Sequence, residues 1–207
     1  MNFFVTGTDT DIGKTVVSSW LALHLDADYW KPIQSGTEPE TDSKTVLNLT
    51  GFDYTRVHAS TYVFPDPLSP HEAAKRAKKN IKLSRFRLPK SSRPLVVEGA
   101  GGLLVPLNEQ HYMIDLILHL GLPVVLVCRS TLGTINHTLL SLESLRSRGI
   151  PIAGAVLVGP RSEHNRQAIA EFGKIEVIGE LPIFDSLSPQ ALKNHPLNWR
   201  YAVQQTF

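Results

Sequence analysis

The sequence predicts an α/β fold in which a doubly wound, mainly parallel sheet is flanked by helices. Short apolar runs bounded by Gly or Pro recur along the chain: "NFFVT", "YWKPI", "PLVVEG", "PVVLVC", "IAGAVLV" and "VIGELP". Runs that are apolar on both faces suit parallel strands covered by helices on either side. Between them lie segments of helical character at 14–25, 42–49, 70–79, 113–120, 134–148 and 162–172. Strand and helix therefore alternate, as a parallel sheet with crossovers requires. With 207 residues, 42% of them hydrophobic, the chain has material for one sizeable core, which predicts a single domain over 1–207.

Two stretches break the alternation. Residues 37–41 are polar with a proline, and the prolines of "YVFPDPLSP" at 62–70 predict an ordered loop without regular structure over the sheet edge. The basic run "KRAKKNIK" at 75–82 reads as a solvated helix face rather than an anion patch. The closing "NHPLNWRYAVQQTF" has aromatic residues to bury, and its pattern leaves a docked helix, a frayed tail and an interface all open.

Composition excludes some partners. With 21 basic against 19 acidic residues and a formal charge of +2, bulk charge makes no case for nucleic acid or a membrane surface. No apolar run approaches the roughly 20 residues of a membrane span, and "MNFFVTG" lacks the pattern of a signal peptide. The single cysteine, Cys128 in "LPVVLVCRS", reads as a buried, inert thiol. Together these predict a cytoplasmic protein.

The chemistry begins at "FVTGTDTDIGKTVVSSW", residues 4–20, where a strand, a glycine-bounded turn and a helix follow one another. Amides at the helix start meet anionic oxygens, Lys14 adds a charge at the terminal phosphates, and the Thr15 hydroxyl can ligate magnesium. This refines the fold class to the P-loop NTPase type. Five residues separate Gly7 from Gly13, one more than the general pattern. The loop is also acidic: Asp9 and Asp11 oppose an incoming anion unless one of them has a separate task, and Asp11 has either a cationic substrate group to face or a helix to cap. Magnesium needs further hard oxygen ligands. Glu98 ends the apolar strand "PLVVEG" before glycines that leave space for a ligand, at the carboxyl strand end where open α/β sheets place their sites. Asp42 in "ETDSKTV" is a second carboxylate, open to a capping role as well.

Five motifs in order, "FVTGTDTDIGKT", "KPIQSG", "SPHEAA", "VEGAGGLLVPL" and "GTINHTLL", closely resemble those of the dethiobiotin synthetases over nearly the whole chain, and the long loop spacing is that family's own. The resemblance implies an ATP-dependent ring closure. 7,8-diaminopelargonate and carbon dioxide (or bicarbonate) give a carbamate, the carbamate takes the γ-phosphate of the nucleoside triphosphate, and the second amine closes a cyclic urea to give dethiobiotin, ADP and phosphate. A carbamate is a poor electrophile until its oxygen becomes a leaving group, so the protein's part is positioning and charge neutralisation.

The resemblance also implies roles. Thr10, Asp11, Ile12, Gly13, Lys14, Thr15 and Val16 would cradle the phosphates, with Gly99, Ala100 and Gly101 lining the nucleotide and Pro182, Ile183 and Phe184 near the base. Thr15, Asp42 and Glu98 would hold Mg2+. Lys31 matches the catalytic lysine bridging carbamate and γ-phosphate, beside Lys14. Ser35 and Asp11 would contact the diamine, although the family more often carries the longer Glu at position 11. Gly133, Thr134 and Asn136 match the helix start that binds the substrate carboxylate across a homodimer interface. His71 of "SPHEAA" matches a loop position of the family, with its role left open and outside the catalytic set. An Asn-Asp pair that often reads adenine is replaced by Val158 and Gly159, which predicts weak base selection.

Three rivals share the fold. Carboxylate-amidating synthetases of corrinoid synthesis generally carry a glutamine-hydrolysing domain, for which this chain lacks length and a nucleophilic Cys. A partner-regulated switch ATPase of the partitioning type would carry a second lysine where "GTDT" stands, and a GTPase would need Asn-Lys-x-Asp, which is absent.

Overall fold

The computed structural model describes residues 1–199. The chain begins with β1 (Asn2–Gly7), whose side chains alternate between two apolar layers: Phe3 and Val5 join one, Phe4 the other. The same alternation holds in β6 (Leu95–Gly102), where Val96 faces one layer and Leu95 and Val97 the other. In β7 (Val124–Arg129), Val125 and Val127 oppose Val124, Leu126 and Cys128. Both faces of these strands are thus buried, which is why they read as continuous apolar runs.

The main sheet has seven parallel strands in the order β4-β2-β6-β1-β7-β8-β9. The other members are β2 (Asp28–Trp30), β4 (Val57–His58), β8 (Ile152–Val158) and β9 (Val177–Leu181). One face is covered by α1 (Lys14–His24), α2 (Asp42–Thr50) and α7 (Pro189–Lys193), which supply Val17, Trp20, Leu21, Val46, Leu49 and Leu192. The other is covered by α3 (Pro70–Arg76), α4 (Met113–Leu120), α5 (Thr134–Arg146) and α6 (Glu163–Gly173), with Ala73, Met113, Leu142 and Ile169 among the contacts. The central strand β1 lies between β6 and β7, so the connections wind away on both sides of it. That reversal opens a crevice at the carboxyl strand ends.

Three expectations need correction. "YWKPI" is not one strand: the chain leaves the main sheet after Trp30, and Pro32, which has no amide to donate, separates β2 from β3 (Ile33–Ser35). The stretch at 62–70 is regular before its first proline, because β5 (Tyr62–Phe64) pairs in parallel with β3 to form a separate two-stranded sheet. The basic run is not a continuous helix face either: α3 ends at Arg76, with Lys78 at φ 51°, and only Lys75 and Arg76 lie on the helix.

At the C-terminus Trp199 is 5% exposed; it packs on Phe3 at 4.4 Å and donates to Ala153 O. The rest of that segment, at 200–207, lies outside the described residues. Cys128 is fully buried, and burial pushes its thiol up to about 12, as an inert core thiol should be.

Candidate active site

β1 delivers the chain to the loop at 8–13 and α1 carries it away. Gly13 caps α1 at φ 86°, a left-handed conformation that side chains resist, and a Cβ there would meet Val158 at 3.2 Å. No side chain caps α1. That removes the capping alternative for Asp11, which is exposed at φ 54°. Ile12 anchors the loop in the core, and Lys14 Nζ donates to the backbone oxygen of Asp9 at 2.9 Å. Burial holds the Lys14 ammonium below its ordinary range, and nearby Glu98 only partly opposes this.

Asp42 is not the cap of α2. Thr41 fills that role by accepting the Lys44 amide at 3.3 Å. Asp42, as the first helical residue, therefore turns inward: Oδ1 accepts from the Thr15 hydroxyl at 2.9 Å, and Oδ2 from Lys31 Nζ at 2.8 Å and Gln34 Nε2 at 3.1 Å. Glu98, 1% exposed on β6, accepts from Lys31 Nζ on Oε1 at 2.9 Å, and the same oxygen lies 2.9 Å from Thr15 Oγ1, whose single proton is shared between Glu98 and Asp42. Its Oε2 accepts from the hydroxyl of fully buried Tyr29 at 3.0 Å.

Lys31, at the end of β2, is 4% exposed and also donates to Gly99 O at 3.3 Å. Burial alone would lower its ammonium, but Glu98 and Asp42 outweigh it and hold Lys31 above its usual value. Burial likewise favours neutral Asp42, and the Lys31 charge overcomes it, keeping the carboxyl below the usual range. Two carboxylates thus converge on one ammonium, and the Thr15 hydroxyl lies between the same two carboxylates. The oxygens of Thr15, Asp42 and Glu98, brought together at 2.9 Å, are of the hard type that a small divalent cation takes.

Lys14, Thr15, Lys31, Gln34, Asp42 and Glu98 line a cleft of about 850 Å³ that also takes in Ser35, Ala100 and Gly101, whereas Tyr29 and Gly99 stand behind its wall. The Ser35 hydroxyl is buried without a hydrogen-bond partner among the described residues. The remaining expected residues lie elsewhere. Pro182, Ile183 and Phe184 follow β9, away from the cleft, with the Phe184 ring edge-on to His195 at 5.2 Å. Gly133 and Asn136 are exposed at the start of α5, but Thr134 is turned inward, its amide on Thr131 O and its hydroxyl on Arg129 O. A second cavity of about 560 Å³, lined by Thr8, Asp9, Thr10, Leu104, His137 and Leu140 among others, runs between the loop and α5. His71 pairs locally with Ser69 Oγ at 3.0 Å, and its amide bonds Pro106 O.

Sequence reasoning missed Tyr29 and Gln34, which orient the two carboxylates, and Arg129, which meets the loop from β7. Gln34 stands inside "KPIQSG", and so had a signal; Tyr29 reads only as core, and Arg129 lies 120 positions from its partner.

The described chain is similar in fold to a ParA family ATPase from Chlorobium tepidum (TM-score 0.56, 13% identity, covering 93% of this chain and 97% of that one). That likeness concerns the fold alone. A family model described as an AAA domain matches residues 1–191. The ATP-dependent dethiobiotin synthetase BioD of Paramagnetospirillum magneticum is 52% identical over 193 residues, 93% of each chain. That of Lawsonia intracellularis is 46% identical over 95% of each. With the phosphate loop, the paired carboxylates and the buried lysine in place, the chain belongs to the ATP-dependent dethiobiotin synthetase family.

Proposed function

We propose that the protein closes the ureido ring of dethiobiotin from 7,8-diaminopelargonate, carbon dioxide and ATP, with release of ADP and phosphate. The observation that carries this reading is Lys31, a buried ammonium held by Asp42 and Glu98 within reach of the phosphate loop. Amides of the loop at 10–16 and Lys14 receive the triphosphate. Thr15, Asp42 and Glu98 hold Mg2+, whose chemistry is to neutralise charge on the phosphates. Lys31 then faces the oxygen that joins carbamate and γ-phosphate, where its positive charge stabilises negative charge building between them. Ser35, with its unpartnered hydroxyl, and Asp11, exposed at the cleft, orient the diamine. The second amine attacks the activated carbonyl and phosphate leaves.

The carboxylate end of the substrate is long, and the cleft of one chain does not reach Gly133 and Asn136. Exposed Leu104, Leu132 and Leu140 near the start of α5 support a homodimer in which the partner supplies that end. The one buried, inert thiol and the biosynthetic reaction fit the cytoplasm.

Phosphate release is the test. With Mg-ATP and bicarbonate it should require the diamine, and Lys31→Ala should lower it by about 10²-fold or more, as for loss of one preorganised charge at a developing anion. Steady hydrolysis indifferent to the diamine would instead indicate a switch ATPase. Base selection is a second test. Val158 packs against Gly13, and the Ser130 hydroxyl stands 2.5 Å from where a Cβ on Gly159 would be; neither residue has a side-chain amide to offer adenine. Turnover with CTP, GTP and ITP should fall within about tenfold of that with ATP; a stronger ATP preference would refute this.

A further inference from the structure

The phosphate loop carries a carboxylate where it must receive an anion. Asp9 folds its side chain back, Oδ1 accepting the Thr10 amide at 2.7 Å, while its backbone oxygen accepts Lys14 Nζ at 2.9 Å. Its other oxygen is met from the neighbouring strand. β1 and β7 run in parallel with Gly7 opposite Val127, and the residues two positions further on, Asp9 and Arg129, then come together. Arg129 Nη2 lies 2.9 Å from Asp9 Oδ2 and 3.4 Å from Thr10 O. The backbone oxygen of Arg129 accepts the Thr134 hydroxyl at the start of α5, so the guanidinium projects from a seated piece of chain.

We propose that Arg129 is a positioning residue for nucleotide binding. It cancels the charge of Asp9 and holds the first turn of the loop, so that an incoming triphosphate meets amides and Lys14 rather than a free carboxylate. The proposal rests on the reading that this loop holds a triphosphate. The two side chains are 50% and 51% exposed, and pairs so exposed contribute little to stability. The role therefore lies in the loop's electrostatics and shape, and the planar fork of Arg suits a pair of contacts, one to a carboxylate and one to a carbonyl, that Lys reproduces only in part.

The test measures the Kd of a fluorescent ATP analogue with magnesium, and KM for ATP and kcat in diamine-dependent phosphate release. The proteins are the wild type, Arg129→Ala, Arg129→Lys, Arg129→Ala with Asp9→Asn, and Lys14→Ala, each checked for an unchanged melting temperature. Arg129→Ala should raise Kd and KM about tenfold, the scale of one charge-assisted hydrogen bond, with kcat nearly unchanged. Arg129→Lys should recover part of this. Adding Asp9→Asn to Arg129→Ala should restore Kd to within about threefold of the wild type, because the uncompensated charge is then gone. Wild-type affinity in Arg129→Ala, alongside weakened binding in Lys14→Ala, would overturn the proposal. So would a double variant as weak as Arg129→Ala alone, which would mean that the guanidinium touches the nucleotide directly. Unimpaired binding in Lys14→Ala would instead refute the phosphate-loop reading itself.

Discussion

Tyr29 has a single hydroxyl to place in a fully buried setting, and it places it on Glu98 Oε2 at 3.0 Å. Burial, then the Glu98 charge, push its phenol well above the ordinary value, so it stays a donor. Glu98 is thereby held with Oε1 toward Thr15 and Lys31. If Glu98 holds Mg2+ as proposed, a partner that orients it in this way tunes metal affinity, typically by 10–100-fold. Tyr29→Phe keeps the ring in its core layer, and should weaken magnesium by about tenfold. A magnesium titration of the nucleotide-induced rise in melting temperature reads this apart from turnover; an unshifted midpoint would show that Tyr29 is packing only. Gln34 treats Asp42 similarly, donating to Oδ2 while its own oxygen accepts the Asp42 amide at 3.2 Å.

Among the elements, the edge of the main sheet has its own ionic fastening. β4 has two residues, Val57 and His58, and β2 has three, too few for a ladder to hold alone. Arg56, just before β4, bonds Asp28 at 3.1 Å, Asp26 at 2.9 Å and Ala27 O at 3.0 Å, and stacks 3.7 Å over the Phe52 ring. Burial opposes charge on Asp28, yet Ser91 and Arg56 prevail and hold its carboxyl below the ordinary 3.8. A carboxyl depressed on folding contributes stability that is present above its unfolded value and lost as pH falls through the folded one. Arg56→Met should therefore melt below the wild type at neutral pH, and the gap should narrow as pH falls below 3.8. Melting curves taken from pH 7 down to about 3 decide this; a gap independent of pH would assign the effect to packing on Phe52.

At the scale of the whole molecule, the apolar side chains left outside are informative. Leu104, Leu132 and Leu140 are each more than half exposed; Leu104 and Leu140 line the cavity between the phosphate loop and α5, and Leu132 stands just before that helix. A second copy seated there would cover them and bring its own Gly133 and Asn136 to the cleft. Leu140→Asp should then convert a dimer into a folded monomer and abolish diamine-dependent phosphate release, while nucleotide still binds. Light scattering coupled to size exclusion checks the mass, and a wild-type monomer at working concentrations would count against the shared site.

Much of this was legible in the chain itself. The apolar runs determined β1, β6, β7, β8 and β9, and β2 in part, because a strand buried on both faces has no polar face to show; two-residue β4 escaped. "GTDTDIGKT" determined the phosphate loop because strand, left-handed glycine and helix start are local events, set within a dozen residues. The break in "YWKPI" and the short strand at Tyr62–Phe64 escaped because they depend on each other across some thirty residues, and a three-residue strand has no period of its own. The carboxylate pair was legible as candidates only: Asp42 at a helix start looks like a cap until Thr41 takes that place. What tertiary structure alone decided was which charges face each other. Lys31 with Asp42 and Glu98, Tyr29 with Glu98, and Arg129 with Asp9 meet across 11 to 120 positions of sequence, and such meetings are fixed by strand order and register, which no local pattern encodes.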